Sequence, residues 1–287
     1  VDGSCETEIG GMVPALDRGL LYGEGLFETV RLETGRPFRL GAHLDRLQAS
    51  AEHLQVPLPA AGWQVRLTRA LQRLTRAARI GAGRARITLT AGDADPGGDP
   101  AVPPEGPGRL ILSVHALGGA PPTVAEIVAI FAGPPVAGGG GGLTQHKTLS
   151  YLGNLLCLRE ARRAGADEGL VRTATDGLVG AARGNLFLVR DGCLLTPGAA
   201  SGRFPGLVRR LVLEEIAPAL GLAGREADLT TSDLATAEEA FLTNSISGVI
   251  PLRQAGSRTW RGSSHGSVTT TIINTYRAIL ARECGTQ

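Results

Sequence analysis

Lysine is almost absent from this chain. Of its 29 lysines and arginines, Lys147 is the single lysine. A guanidinium stays protonated at any physiological pH. An ε-amine can be desolvated, lose its proton and attack a carbonyl. Side-chain amine chemistry therefore has one address here. Other shortages exclude whole classes. Aromatic residues are 4% and the formal charge is +2, with no basic tail, so nothing points to a nucleic-acid partner. Cys5, Cys157, Cys193 and Cys284 form no CxxC pair, and in 287 residues they read as free thiols. No disulfide framework, zinc site or other metal is expected. No apolar run approaches the roughly 20 residues of a membrane helix. The opening VDGSCETEIGG is too polar and acidic for a signal peptide. The expectation is a cytoplasmic protein with no membrane partner.

What is present fits a globular chain, with 43% apolar and 20% charged residues. Its length suits one large domain or two ordinary ones. In GLFETVRLETGRPFRL, Phe27, Thr29 and Arg31 alternate with Glu28 and Val30, which predicts strands around a turn at Gly35. HLDRLQASAEHL and WQVRLTRALQRLTRAARI have helical spacing. RARITLTAG and GRLILSVHAL read as strands. These make a small α+β domain over residues 1–117, followed by the linker GGAPPT at 118–123. From 124 to 287 a larger domain is expected, rich in strands with flanking helices. Gly165 is expected to stop the helix SYLGNLLCLREARRAGA.

The run GGGGG before LTQHKTLS invites comparison with a phosphate loop. That loop needs glycine directly before Lys-Ser/Thr, and His146 stands there instead. The run reads better as a flexible connection able to move over a site. FPGLVRR starts a helix with Pro-Gly. The N–H groups of Leu207 and Val208 can then bind a phosphate, or the segment is an ordinary proline-initiated helix. FLTNSISGVIP offers the hydroxyl of Ser245 and free N–H groups, or a plain polar turn. Arg46 is a phosphate clamp or a solvated charge. One amine with several phosphate donors suggests one ligand bearing an aldehyde and a phosphate, as pyridoxal 5′-phosphate does.

Six motifs in order, DRGLLYGEGLFETVRL, HLDRL, HKTLSYLGNLL, GNLFLVRDGCLLTP, FPGLVRR and NSISGVIPL, cover most of the chain from about Asp17 to Pro251. The series resembles the fold-type IV pyridoxal-phosphate enzymes, the class-IV aminotransferases and aminodeoxychorismate lyases. NSISGVIPL looks most like the lyase branch. The resemblance implies an α+β fold in two domains, the larger a β-rich pseudo-barrel, and a homodimer. It implies that Lys147 is the Schiff-base lysine and proton shuttle, and that Arg46, Leu207, Val208, Ser245 and Ile246 bind the cofactor. Many relatives have threonine where Val208 stands, so one hydroxyl contact is missing. It also puts Tyr22, Phe27 and Arg31 on the substrate segment. Arg84 and Arg86 are candidates for holding a substrate carboxylate, or lie on a strand's solvated face.

One departure bears on the chemistry. The family's pattern has a glutamate five residues before the asparagine of the meander, facing the pyridine nitrogen. Here that position is Gly180, followed by Ala181, with Gly184 in place of the usual serine. Glu168 or Asp176 could supply an acid instead, or Arg183 a cation; Ser150 or Tyr151 could reach the phenolic oxygen. The expected activity is a lyase on an amino-carboxylate of the aminodeoxychorismate type, giving 4-aminobenzoate and pyruvate. Aromatisation drives that reaction, so a weaker electron sink hurts it less than transamination. The alternatives are a D-amino-acid or branched-chain aminotransferase, and a non-catalytic binding protein on the same fold.

Overall fold

A computed structural model describes residues 12–118, 126–136, 142–260 and 267–285. Cys5, the expected linker beyond Gly118 and the glycine run before Gly142 lie outside the described residues. The chain forms two units. One is Val1–Gly118 with Lys147–Ser150 and Leu280–Gln287; the other is Gly119–His146 with Tyr151–Ile279. The division expected from the sequence was linear. It differs because two later segments join the first unit. Lys147–Ser150 hydrogen-bonds to a strand there, and the chain's end is tied by Arg39 to Glu283 (2.7 Å) and by Thr34 to the carbonyl of Cys284.

The first unit contains α1 (Arg18–Leu21), β1 (Gly25–Glu33), β2 (Arg36–Pro37), α2 (Leu40–His53), α3 (Trp63–Ala77), β3 (Gly83–Thr90) and β4 (Arg109–Ala116). Its antiparallel sheet has the order β2-β1-β3-β4. Alternation along the strands separates two faces. Leu26, Val30, Leu32, Ala85, Ile87 and Leu89 join Leu44, Leu47, Trp63, Leu67 and Leu71 of the helices in one buried core. The α3 arginines 66, 69, 73 and 76 all lie on its exposed side. On the sheet's other face the register pairs Phe27 with Thr88, Thr29 with Arg86 and Arg31 with Arg84.

The second unit runs β5 (Ile127–Phe131), α4 (Leu152–Arg163), β6 (Glu168–Arg172), β7 (Leu178–Ala181), β8 (Asn185–Arg190), β9 (Cys193–Pro197), α5 (Leu207–Leu211), α6 (Ala217–Ala219), β10 (Gly224–Ala227), α7 (Thr231–Thr236), β11 (Glu239–Asn244), β12 (Gly248–Ala255), β13 (Arg258–Thr259) and α8 (Val268–Cys284), whose last residues from Leu280 belong to the first unit. Its sheet has the order β10-β9-β8-β11-β12-β5-β6-β7, with β13 on β12. The sheet curls, because β7 returns beside β8 where Ala181 donates to the carbonyl of Gly184 (2.8 Å). Phe187 and Phe241 stack within it at 4.8 Å. Gly165, at φ +75°, follows the last turn of α4 as expected. Between α5 and α6 the helix widens into a π turn, Val212–Ile216. Pro218, just beyond, has no N–H for the carbonyl four residues back. Cys157, Cys193 and Cys284 are free thiols. Among the described residues no helix is long and apolar enough to cross a membrane.

Two glycines separate backbone need from bystander. Gly248 has φ +72°, and a Cβ there would lie 2.3 Å from the Tyr276 ring. Gly153, on α4, would meet nothing within 4 Å. Gly248→Ala is expected to destabilise by about 2 kcal/mol or more, and Gly153→Ala to be neutral or to stabilise by up to ~1 kcal/mol. Thermal melts of both variants check this; equal Tm values would contradict the packing at Gly248.

Candidate active site

Lys147 is placed by its backbone. Phe27 N–H donates to the carbonyl of Lys147 (2.8 Å), and Leu149 N–H donates to the carbonyl of Gly25 (2.9 Å). Thr148 thus pairs antiparallel with Leu26, as a short added strand on the edge of β1. Gly25 permits this approach, since a Cβ there would sit 2.4 Å from the carbonyl of Leu89 and 2.7 Å from the Leu149 side chain. Lys147 is half-buried, with its Nζ 4.1 Å from the centroid of the Phe27 ring. The guanidinium carbon of Arg86 lies 3.8 Å from the same centroid. A phenyl face attracts cations electrostatically and covers them from water.

Beneath that ring, on the core side of β1, Glu28 is 1% exposed. Arg46 grips it with two hydrogen bonds, Nε to Oε1 (2.8 Å) and Nη2 to Oε2 (2.7 Å). His43 Nδ1 is 2.7 Å from Oε2. His43 and Arg46, three apart on α2, project from one helix side. Burial raises the Glu28 carboxyl, but Arg46 and His43 outweigh it and hold the pKa at about 2. The Lys147 amine is lowered too, to about 8, which for an amine favours the neutral form. Burial is the main cause; Glu28 opposes it, while Arg46 and Arg86 add to it.

The structure gathers Phe27, Arg46, Arg86 and Lys147 of the expected residues. Arg31 lies on the same sheet face and pairs with Glu33 (2.7 Å). Arg84 is exposed, opposite Arg31 on one side and His115 on the other. Tyr22 is not in this group. It is half-exposed and lines a groove of about 510 Å³ with Arg18, Glu24, Leu54, Gln55 and Pro100. Glu28 and His43 were not singled out in the sequence. The available signal was a glutamate at a strand position whose neighbours two residues away are the core residues Leu26 and Val30.

In the second unit, Leu207 and Val208 open the helix behind Gly206, which caps it without a side chain. A Cβ on Gly206 would lie 1.9 Å from Asn185 Oδ1, so only glycine fits that turn. Ser245 is half-buried. The Ile246 N–H, expected to meet a phosphate, donates to Asn244 Oδ1 (3.0 Å). Gly180 has φ +155°, and a Cβ there would lie 3.0 Å from the carbonyl of Gly184. Glu168 and Arg183 pair with each other (2.9 Å). Burial pushes the Glu168 carboxyl up against the pull of Arg183. Asp176 pairs with Arg172 (3.0 Å) and Thr231. The Tyr151 hydroxyl donates to the carbonyl of Ala182 (3.0 Å).

The amino-transferase class IV family pattern matches residues 25–255. The chain belongs to that family. Its enzymes are pyridoxal-phosphate-dependent aminotransferases and lyases, and its fold is their fold-type IV α+β architecture. A solved 4-amino-4-deoxychorismate lyase from Pseudomonas aeruginosa is 30% identical, with TM-score 0.81, over 96% of this chain and 98% of that one. A branched-chain amino acid aminotransferase from Escherichia coli is 27% identical, with TM-score 0.81, over 94% and 88%. A D-alanine aminotransferase from Listeria innocua is 25% identical over 94% and 91%. Three activities thus sit at nearly equal distance, so identity alone does not choose among them.

The Glu28 cluster has a pH signature. Its folded pKa lies below the ordinary value of 4.5, so as pH falls the unfolded chain takes up that proton first. Stability from this group is present above about 4.5 and is lost toward about 2. The loss is on the order of 3 kcal/mol. Glu28→Gln is expected to destabilise at pH 7 and to flatten this part of the acid slope. Urea unfolding at pH 7, 4 and 3 reads both; parallel slopes for the two proteins would contradict an ionised Glu28.

Proposed function

We propose that this chain is a pyridoxal-phosphate-dependent lyase of the aminodeoxychorismate type, releasing 4-aminobenzoate and pyruvate from an amino-carboxylate. The observation that carries the reading is the Lys147 amine, half-buried on Phe27 with its pKa lowered to about 8. An amine so placed is neutral in a useful fraction near physiological pH, as a nucleophile and proton carrier must be.

The chain's groups fit an aldehyde-bearing phosphate. Lys147 is the nucleophile for the aldehyde. The first-turn N–H groups of Leu207 and Val208, behind a Gly206 whose Cβ site is filled by Asn185, suit a phosphate. Ser245, Ile246 and Arg46 complete the proposed phosphate set. A phosphate at that turn has to take the Ile246 N–H from Asn244, while Arg46, in the first unit, already gives two N–H groups to Glu28. When bound, the cofactor supplies a carbonyl for the amine and a ring that withdraws electrons from the substrate's amine-bearing carbon. Lys147 takes the proton from that carbon. Arg86, with Arg84 and Arg31 further along the strands, holds carboxylate. Phe27 shields the amine from water, and Tyr22 remains a candidate on the substrate segment.

One point favours the lyase over a transaminase. Gly180 brings no carboxylate to the ring nitrogen, and a reaction driven by aromatisation tolerates that better. We also take the working form to be a cytoplasmic homodimer. Leu152, Leu155 and Leu156, exposed by 61%, 40% and 48%, offer an apolar stripe on α4 for an interface.

The test supplies aminodeoxychorismate and pyridoxal phosphate and follows both products. Equal amounts of 4-aminobenzoate and pyruvate are expected, and Lys147→Ala should lower the rate ~10³-fold or more. Amino transfer that depends on an added keto acid, without pyruvate release, would establish the aminotransferase. Absence of both, with Lys147 unlabelled after borohydride reduction, would leave a binding protein.

A further inference from the structure

Two cations share one phenyl ring in the first unit. Arg86 and Lys147 stand 3.8 Å and 4.1 Å from the Phe27 centroid. They therefore lie within roughly 8 Å of each other, no further than the Debye length at physiological salt. The surrounding charges are unequal. From β1 comes Glu28, whose carboxylate is already held by His43 and Arg46 of α2. Also on β1, Arg31 and Glu33 neutralise each other. From β3 come Arg84 and Arg86, and from β4 His115, opposite Arg84. Arg86 is the arginine that rests on the lysine's own ring.

We propose that Arg86 is a positioning residue for Lys147: its charge, set on the same Phe27 ring, favours the neutral amine, and a carboxylate that pairs with Arg86 returns proton affinity to it. The second half rests on the reading above, in which Arg86 holds the substrate's carboxylate. Substrate arrival then makes Lys147 more basic at the moment it must take a proton. No bond forms or breaks in this step. An anion neutralises one cation, and the neighbouring amine binds a proton from solvent or substrate more tightly. Burial and Arg46 act on Lys147 all the time, whereas Arg86 acts only while its carboxylate is absent. The lowered pKa of Lys147, due first to burial and then to Arg46 and Arg86 against the pull of Glu28, agrees with this.

The single lysine makes the test direct. Reductive ¹³C-methylation of the full chain, without pyridoxal phosphate, tags Lys147, and NMR follows its titration. The wild-type midpoint is expected near 8. Arg86→Gln should raise it by about half to one and a half units, and Arg86→Lys should leave it low. Saturating benzoate should raise the wild-type midpoint and not that of Arg86→Gln. An unchanged midpoint in Arg86→Gln, or an equal rise in Arg86→Lys, would overturn the electrostatic role in favour of packing. A benzoate shift that persists in Arg86→Gln would overturn the carboxylate link. If Arg86→Gln fails to fold, an unmoved wild-type midpoint in benzoate overturns the proposal alone. Since no cofactor is used, these outcomes are separate from the borohydride and lyase results.

Discussion

Two backbone hydrogen bonds hold Lys147 in place. Phe27 N–H to Lys147 and Leu149 N–H to Gly25 fasten a distant segment to the edge of β1. Because the bonds are main-chain, they ask little of the side chains at 147–149, and the identity of residue 147 is left to other constraints. They do ask for Gly25, whose missing Cβ leaves room for the Leu149 side chain. β1 then serves three purposes at once. Leu26, Val30 and Leu32 anchor it in the core, Glu28 carries a buried charge, and Phe27 receives the amine.

Opposite fates of two ionisable groups follow from that strand. Glu28 is more buried than Lys147, yet it stays ionised, because Arg46 and His43 meet it with direct hydrogen bonds. Lys147 rests on an aromatic face instead, where a cation gains less than it does from a carboxylate. Desolvation therefore wins at the lysine and loses at the glutamate. The tight pair also limits what Glu28 can do for the amine above it. A carboxylate shared by two partners has less field left for a third.

Much of this fold was legible because its periodicities are clean. The strand alternation of GLFETVRLE, the helical spacing of α3 and the hairpins β6-β7 and β8-β9 emerged as read, but not one continuous meander from Glu168 to Pro197, since β7 and β8 meet only at the Ala181–Gly184 bridge. α1, β10 and β13 were missed; at two to four residues they carry no period to detect. The membership of Lys147–Ser150 in the first unit was invisible, since main-chain bonds to a remote strand leave no mark on local composition. Lys147 itself stood out through contrast, one amine among guanidiniums. Glu28 and His43 did not, because a charge on a core face is legible only once the face is known. Tyr22 stands apart from the Phe27 face, in a groove of its own. There α1 turns it toward Arg18.

The backbone at Gly180 sits at φ +155°, a region side chains avoid, and the Gly184 carbonyl closes the space where a Cβ would go. Gly184 in turn approaches Thr243, so that a Cβ on it would lie 2.9 Å from that carbonyl. Three backbone segments are thus fitted to one another without side chains. A single codon change to glutamate meets a closed door, because the hairpin must first adopt another course. A side chain at residue 180 therefore requires three backbone segments to move together, whatever its own chemistry.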